Sequence, residues 1–529
     1  MNKKSFCPIS LLFLLAFTLR FAGLSSNPPG FFRDEADKGY TSYSLMKTGM
    51  DQAGKHWPLF VRSLNVTTSS MYQYLDIPFI AGLGMTETAV RLPACFAGSL
   101  SVLAVYLLAR KWWNSGTAFW AGLFVCFSPW SLLLSRWANQ SILLTLWIPL
   151  GVYFLMLGRE DGVPRVRDSL LSAFCLLAAL YTYEPAQLFI PVFSFFAWAS
   201  LLSRQMFVRD RRAAFLWAMG AFWLLFAAGS IPLLHHLLYQ PDESAARFSR
   251  IGIFDGQPFY SAMMEFLRNY AAHLSPSFLF WSGDANLRHH SRMFGQIHLY
   301  LIPLIFIGLP QALRQRNAKD RILLAWLLCF PLAAACTRES IPHALRSVFA
   351  VPILQLLAAN GLHALQENLP WLIAKLGETR VHFWRRAGIA VMAVCVSLHL
   401  ADFFFRYPRY SAEYWEYGYR NVVDWWKTHH SEADGTVVTG LAEYPYIFFL
   451  FYNEYPPDRW IAEQRVEGVT FLPLGESADA HLQEREGRFL YLVRPMELNQ
   501  IQPEKVVLDP YKTAHWKWTA WGKRLAPVP

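Results

Sequence analysis

GFFRDEADKGYTSYSLMKTGMDQAGKHWPLF, residues 30–60, is a polar stretch set among long apolar segments. It carries Arg33, Asp34, Glu35, Asp37, Lys38, Asp51, Lys55 and His56, and it follows a short hydrophobic segment led by Lys3 and Lys4. Positive charge ahead of a first membrane span holds that end in the cytoplasm, so the stretch emerges on the opposite side. It reads as a catalytic loop resting on the outer membrane surface.

The surrounding composition fits a membrane protein. Of 529 residues, 54% are hydrophobic and only 16% are charged, against roughly 25% charged in a soluble domain. The aromatic share of 16%, with 21 Trp and 41 Phe, suits interfacial belts. The net charge of +10 would fit nucleic acid, but the Lys and Arg sit in short clusters between apolar runs. That is the positive-inside pattern, and no nucleic-acid partner is expected. The seven cysteines lie in or beside apolar runs without CxxC spacing, so they read as packing residues. The segment 1–30 has the basic start of a signal peptide. Arg20 interrupts its apolar run, however, and no small-x-small site follows, so an uncleaved first helix is the expectation.

A spanning helix needs about 20 mostly apolar residues. The candidates are roughly 7–24, 91–110, 117–135, 141–158, 169–183, 186–203, 214–235, 297–313, 321–336, 344–364 and 387–405, eleven in all. With the N-terminus inside, every cytoplasmic turn is basic, from Arg110 and Lys111 to Lys375, Arg380, Arg385 and Arg386. The outer side then receives a first large loop (about 25–90), a second (about 236–296), three short connections and the tail. The expected fold is a polytopic α-helical membrane protein with about eleven spans over residues 1–405. A small extracytoplasmic α/β domain follows over 406–529. In that tail GYRNVVDWWKTH reads as an amphipathic helix, and Gly435–Gly440 and Arg488–Val493 read as strands.

Asp34 to Thr48 has helical spacing, with Gly49 placed to end the helix. Asp34, Lys38, Thr41 and Leu45 share a face, with Asp37 beside them. An acid held beside a cation in a partly desolvated groove can act as a general base; a solvated interfacial helix with ordinary ion pairs is the plainer alternative. Ala36, Tyr40 and Tyr43 form a greasier face for lipid or for the bundle. In the second loop Asp284, Arg288, His289, His290 and Arg292 form a charged cluster suited to a phosphate or to an interfacial anchor. Adjacent histidines are a weak metal signal, and no metal or other cofactor is expected. His343 and Arg346 stand at the mouth of the bundle, and Glu184 lies in another short connection. Arg91, at the start of the second span, could simply snorkel.

FRDEADKGYTSYSLMKTGMDQAGKHWPLF, followed by MYQYLDIPFIAGLGMTETAVRLPACFAG, resembles the first outer loop and second span of the polyprenyl-phosphate-dependent glycosyltransferases. These are the GT-C membrane enzymes of glycosyltransferase family 39, which include protein mannosyltransferases and bacterial aminoarabinose transferases. Weaker echoes are FLFWSGDANLRHH and PHALRSVFAVP. The family's early Asp-Glu pair matches Asp34 and Glu35.

The resemblance implies a GT-C catalytic domain over 1–405 and an inverting transfer of one sugar from a polyprenyl phosphate to a hydroxyl outside the cytoplasm. The acceptor would be lipid A, a glycan, a glycolipid or a protein. Asp34, with Glu35, would supply the base. Lys38, Arg91, Arg288, His343 and Arg346 would hold the donor phosphate, with Asp37, Glu184 and Asp284 as further site candidates. It also implies a bacterial inner-membrane protein with a cytoplasmic N-terminus and a periplasmic tail. The sequence departs from the family where a second acid is frequent: the next outer loop reads Ser135-Arg136-Trp137-Ala138-Asn139-Gln140. Glu184 or Asp76 is the available substitute. A transporter or flippase for a lipid-linked sugar, and an oligosaccharide ligase, are the alternatives.

Overall fold

Apolar runs free of turn residues become helices, and each of the eleven apolar segments falls on one helix or on two consecutive ones. The computed structural model describes residues 8–64, 66–158, 163–202, 209–239, 251–441, 443–477, 488–493, 505–507 and 518–524. Four of the described helices are long and apolar enough to cross a membrane: Glu87–Trp112, Gln140–Leu157, Arg211–Tyr239 and Glu378–Trp415. Pro8–Phe21, Ser115–Cys126, Ala186–Leu201 and Leu299–Gln315 are apolar but shorter. Proline explains part of the shortening, because it lacks an N–H and clashes with the preceding turn. Pro129 opens a new helix after Ser128, and Pro331 separates Ala318–Cys329 from Leu332–Ala335.

The chain divides into two units, residues 1–22 with 94–403 and residues 23–93 with 404–529. The first outer loop therefore groups by its contacts with the tail.

The first unit is helical. Helices Ile302–Gln315 and Ala350–Glu367 approach until a Cβ on Gly308 would lie 2.0 Å from the Leu357 carbonyl oxygen, and one on Gly361 would lie 1.9 Å from that of Leu304. Only glycine permits that packing, the usual device where helices pack without a hydrophobic drive between them. The buried Arg136 guanidinium donates to the carbonyls of Leu19 (2.9 Å), Arg20 (2.8 Å) and Ala22 (2.7 Å). It satisfies the carbonyls that the Pro8–Phe21 helix leaves open at its C-terminus. Arg20 is also buried and donates to the Ser131 hydroxyl at 3.0 Å. The residue that interrupts the apolar run is thus a packing anchor. All six described cysteines are free.

In the second unit the Arg33–Thr48 helix ends at Gly49 in the left-handed conformation, φ 71°. Strands Phe60–Ser63 and Val66–Ser69 pair antiparallel, and the Met71–Leu83 helix packs against the Arg33–Thr48 helix. The tail contributes a five-stranded mixed sheet in the order Val469–Phe471, Gly435–Val438, Arg488–Val493, Trp518–Arg524, Lys505–Val507. The first three strands are parallel and the last two join antiparallel. GYRNVVDWWKTH falls on the Tyr419–His429 helix. The short Tyr446–Tyr452 helix packs on the Arg33–Thr48 helix, where a Cβ on Gly39 would lie 2.6 Å from the Phe451 ring. The Tyr40 hydroxyl donates to the Tyr455 carbonyl at 3.0 Å. Ala36 and Tyr40 are fully buried, so of the two readings of that face, lipid or protein, the structure shows protein, and it comes from the tail.

Candidate active site

The N-terminus of the Arg33–Thr48 helix gathers four carboxylates, those of Asp34, Glu35, Glu416 and Glu443. Glu35 reaches back to accept the Phe32 N–H at 3.1 Å, as a capping residue does. Glu416, from the tail, accepts the Arg33 N–H at 2.9 Å and pairs with the Arg33 side chain at 3.0 Å. Arg33 also pairs with Glu443. Burial lowers the basicity of Arg33, but Glu416 and Glu443 outweigh it, and its pKa is raised. Asp34, between these anchored neighbours, is half-buried and makes no side-chain hydrogen bond or ion pair among the described residues.

Glu35 is fully buried and forms a two-point ion pair with Arg91, Nε to Oε1 at 2.9 Å and Nη2 to Oε2 at 3.0 Å. Arg91 also donates to the carbonyls of Leu24 (2.9 Å), Pro28 (3.1 Å) and Gly30. All its N–H groups are committed, and it is 0% exposed. Arg91 does not snorkel: its N–H groups are spent within the protein, and both Glu35 carboxylate oxygens accept from it. The pair fixes the loop that presents Asp34.

Lys38 stands one turn beyond Asp34. It is 5% exposed, and its Nζ reaches only the Asp34 carbonyl, at 3.4 Å. Its ammonium keeps donors open. Asp37 is fully buried and accepts from Ser63 Oγ (2.5 Å), Gln52 Nε2 (3.0 Å) and the Leu64 N–H (3.4 Å). Burial pushes its carboxyl up to about 6, against the lowering effect of these hydrogen bonds and Lys38. It ties the helix to the hairpin. Asp76 on the Met71–Leu83 helix is fully buried, and burial raises its pKa well above the usual carboxylate range.

The remaining candidates lie in the helical unit. Glu184 is half-buried in its connection, and Arg288 is half-buried in the second loop. Asp284 organises that loop. It accepts from the Asn286 N–H at 2.8 Å, pairs with His289 Nδ1 at 3.0 Å and accepts the Ala344 N–H at 2.7 Å. Burial raises its pKa, but His289 and the other donors overcome this and bring it to about 2. His343 is nearly buried. Its N–H donates to His273 Nε2 at 2.9 Å, and its own Nδ1 accepts the Arg346 N–H at 3.3 Å. Burial, with the neighbouring His289 and Arg346, pushes its pKa well below the usual histidine value. Its backbone N–H and its Nδ1 are thus engaged within the protein, by His273 and by Arg346. Arg346 is engaged by Thr337 Oγ1, the Glu339 carbonyl and the Glu339 carboxylate, each at 3.0 Å.

One ligand atom each of Asp284, His289 and His343 lies within 4.8 Å of the others, and all three residues are buried. Two imidazoles and a carboxylate form a donor set suited to a divalent transition metal such as zinc. If the structure has a metal-holding cluster among its described residues, it is this one. The sequence reading passed over it because the third ligand comes from a distant loop.

The chain shares its fold with solved structures. The chain matches ArnT from Cupriavidus metallidurans bound to undecaprenyl phosphate with a TM-score of 0.57 at 12% identity, covering 97% of each chain. This is the GT-C fold. The apo form of the same ArnT gives 0.55 at 13% identity, again over 97% of each chain. The GT-C likeness extends to the archaeal oligosaccharyltransferase AglB from Archaeoglobus fulgidus, solved with an inhibitory peptide and a dolichol-phosphate. There the TM-score is 0.51 at 10% identity, over 84% of this chain and 63% of that one. Residues 71–230 of the chain match the family model described as dolichyl-phosphate-mannose-protein mannosyltransferase. No curated protein matches the sequence.

Sequence reasoning missed Glu416 and the Ser63–Gln52 hold on Asp37. Neither carries a local signal, because each partner lies far away in sequence or on a separate strand.

Proposed function

We propose that the chain is an inverting glycosyltransferase that moves a single sugar from a polyprenyl phosphate to a hydroxyl of an acceptor outside the cytoplasm. The observation that carries this is the division between adjacent carboxylates. Glu35 is consumed by Arg91, while Asp34 is partly exposed and unengaged, on a helix fixed from both ends. In this reading Asp34 takes the proton of the acceptor hydroxyl as that oxygen attacks the anomeric carbon. The polyprenyl phosphate leaves already ionised, so no separate acid is required. Lys38, one turn away, offers its ammonium to the departing phosphate, where a low-dielectric site makes such stabilisation strong. The ArnT structure with undecaprenyl phosphate and the mannosyltransferase model support this donor class. This reading puts the protein in a bacterial inner membrane, with the catalytic loop and tail on the outer face, as the basic cytoplasmic turns suggest.

The test is sugar transfer by the full-length protein in membranes, using radiolabelled polyprenyl-phosphate sugars with a native lipid and glycan extract. Asp34→Asn, nearly isosteric and unable to take the proton, lowers transfer by roughly 10²–10⁴-fold while insertion is unchanged. Equal transfer in wild type and variant removes Asp34 as base. Transfer of whole glycans from a diphosphate lipid favours the oligosaccharide ligase, and transbilayer movement of a donor without its consumption favours the flippase.

A further inference from the structure

The second unit contains a cavity of about 360 Å³ that the proposed chemistry does not use. This lies within the roughly 300–1,000 Å³ range of small-ligand pockets. Its walls come from segment 25–31, from Glu87 at the start of the second apolar helix, and from tail residues 416–421 with Tyr452. The chemistry of the walls is specific. Glu87 accepts from the Tyr452 hydroxyl at 2.7 Å and faces Arg420 at 4.0 Å. Glu416 forms part of the wall while its carboxylate holds Arg33. Tyr417 is half-buried at the cavity, and Asn421 is exposed there. The wall is also rigid. Glu416 takes a left-handed φ of 52°, a conformation that L residues adopt rarely and that costs energy. A Cβ on Gly30 would lie 2.1 Å from the Trp415 carbonyl oxygen, so segment 25–31 and the turn at 415–418 are in backbone contact.

We propose that this cavity is a saccharide subsite, receiving a carbohydrate portion of the acceptor next to the segment that carries Asp34. This rests on the glycosyltransferase reading. A sugar ring offers hydroxyls that donate and accept together, with C–H faces between them. Tyrosine rings supply apolar faces with a polar tip. Carboxylate, amide and guanidinium groups then cover both hydrogen-bonding roles. Glu87, Tyr417, Asn421 and Arg420 provide this mixture. With two carboxylates against Arg420 and the already paired Arg33, the cavity has no surplus cation to favour a phosphate. Glu416 links the subsite to the chemistry, because this residue lines the cavity while its carboxylate binds Arg33, immediately before Asp34. The tail thereby gains a role in acceptor selection.

The experiment is saturation-transfer NMR on the full-length protein in detergent, with the methyl glycosides of glucose, mannose, galactose and N-acetylglucosamine as probes. At least one glycoside gives saturation transfer in wild type, and the signal falls fivefold or more in Tyr417→Ala and Asn421→Ala. Glu467→Ala, at an exposed residue that pairs with Arg459 and is not among the cavity-lining residues, leaves the signal unchanged. Thermal unfolding at the wild-type midpoint shows that the exposed Asn421→Ala variant is folded. Absence of binding by all four glycosides, or equal binding in the cavity variants, overturns the subsite. Donor consumption is measured in parallel. If Asp34→Asn leaves it untouched while glycoside binding depends on Tyr417 and Asn421, the catalytic reading fails and the subsite stands.

Discussion

Arg91 and Glu35 meet through two parallel contacts, 2.9 Å and 3.0 Å, with both side chains fully excluded from solvent. Removing one partner of such a pair leaves a buried charge uncompensated, which typically costs about 3–5 kcal/mol. Arg91→Ala and Glu35→Ala are therefore expected to lower the unfolding midpoint strongly, and Asp34→Asn to leave it near wild type. Denaturation of the three variants in detergent checks the contrast. A stable but inactive Glu35→Ala would return Glu35 to the chemistry.

Lys38 is 5% exposed and contacts only a backbone carbonyl. Lys38→Met keeps the apolar stem and removes the charge. A hydrogen bond to a charged group contributes about 1.5–3 kcal/mol, so the KM for the polyprenyl-phosphate donor is expected to rise roughly 10- to 100-fold. Stability should be unchanged or higher. An unaltered donor KM removes Lys38 from phosphate binding.

Asp37 has a folded-state pKa raised from 3.8 to about 6, chiefly by burial. The folded protein then binds its proton more tightly than the unfolded chain, so stability falls as pH rises through this window. Relative to Asp37→Asn, wild type is expected to lose stability between about pH 4 and 6 and to hold a constant difference above that. Unfolding midpoints of both proteins across pH 4–8 test this, and parallel curves would contradict it.

Asp284 accepts three hydrogen bonds that join the second loop to the segment at Ala344. Leaving a buried donor unpaired costs about 1–3 kcal/mol, so Asp284→Ala is expected to lower the unfolding midpoint. A chelator separates the two ways this cluster can hold together. If Asp284, His289 and His343 bind a cation, chelation lowers the midpoint of wild type and not of Asp284→Ala. If the cluster is hydrogen-bonded only, chelation changes neither.

The helical segments, the helix at Asp34–Thr48 with its Gly49 terminus, and the strands at Gly435 and Arg488 were legible in the sequence. These depend on local period and on turn chemistry, which a few neighbouring residues specify. Two adjacent acids, Asp34 and Glu35, look equivalent in the chain. Tertiary structure alone separates them, because Arg91 enters from 56 residues away and occupies one carboxylate. The same holds for Ala36 and Tyr40, whose apolar face could meet lipid or protein until the tail folded over it. It also holds for His343, whose pKa is pushed down by burial beside His289 and Arg346. By itself the sequence determined which segments are helical and which residues can carry charge, since these are properties of the residues and their spacing. Which charges stay available for chemistry was decided only by tertiary structure. Ion pairing and desolvation depend on distances of a few ångströms between residues hundreds of positions apart.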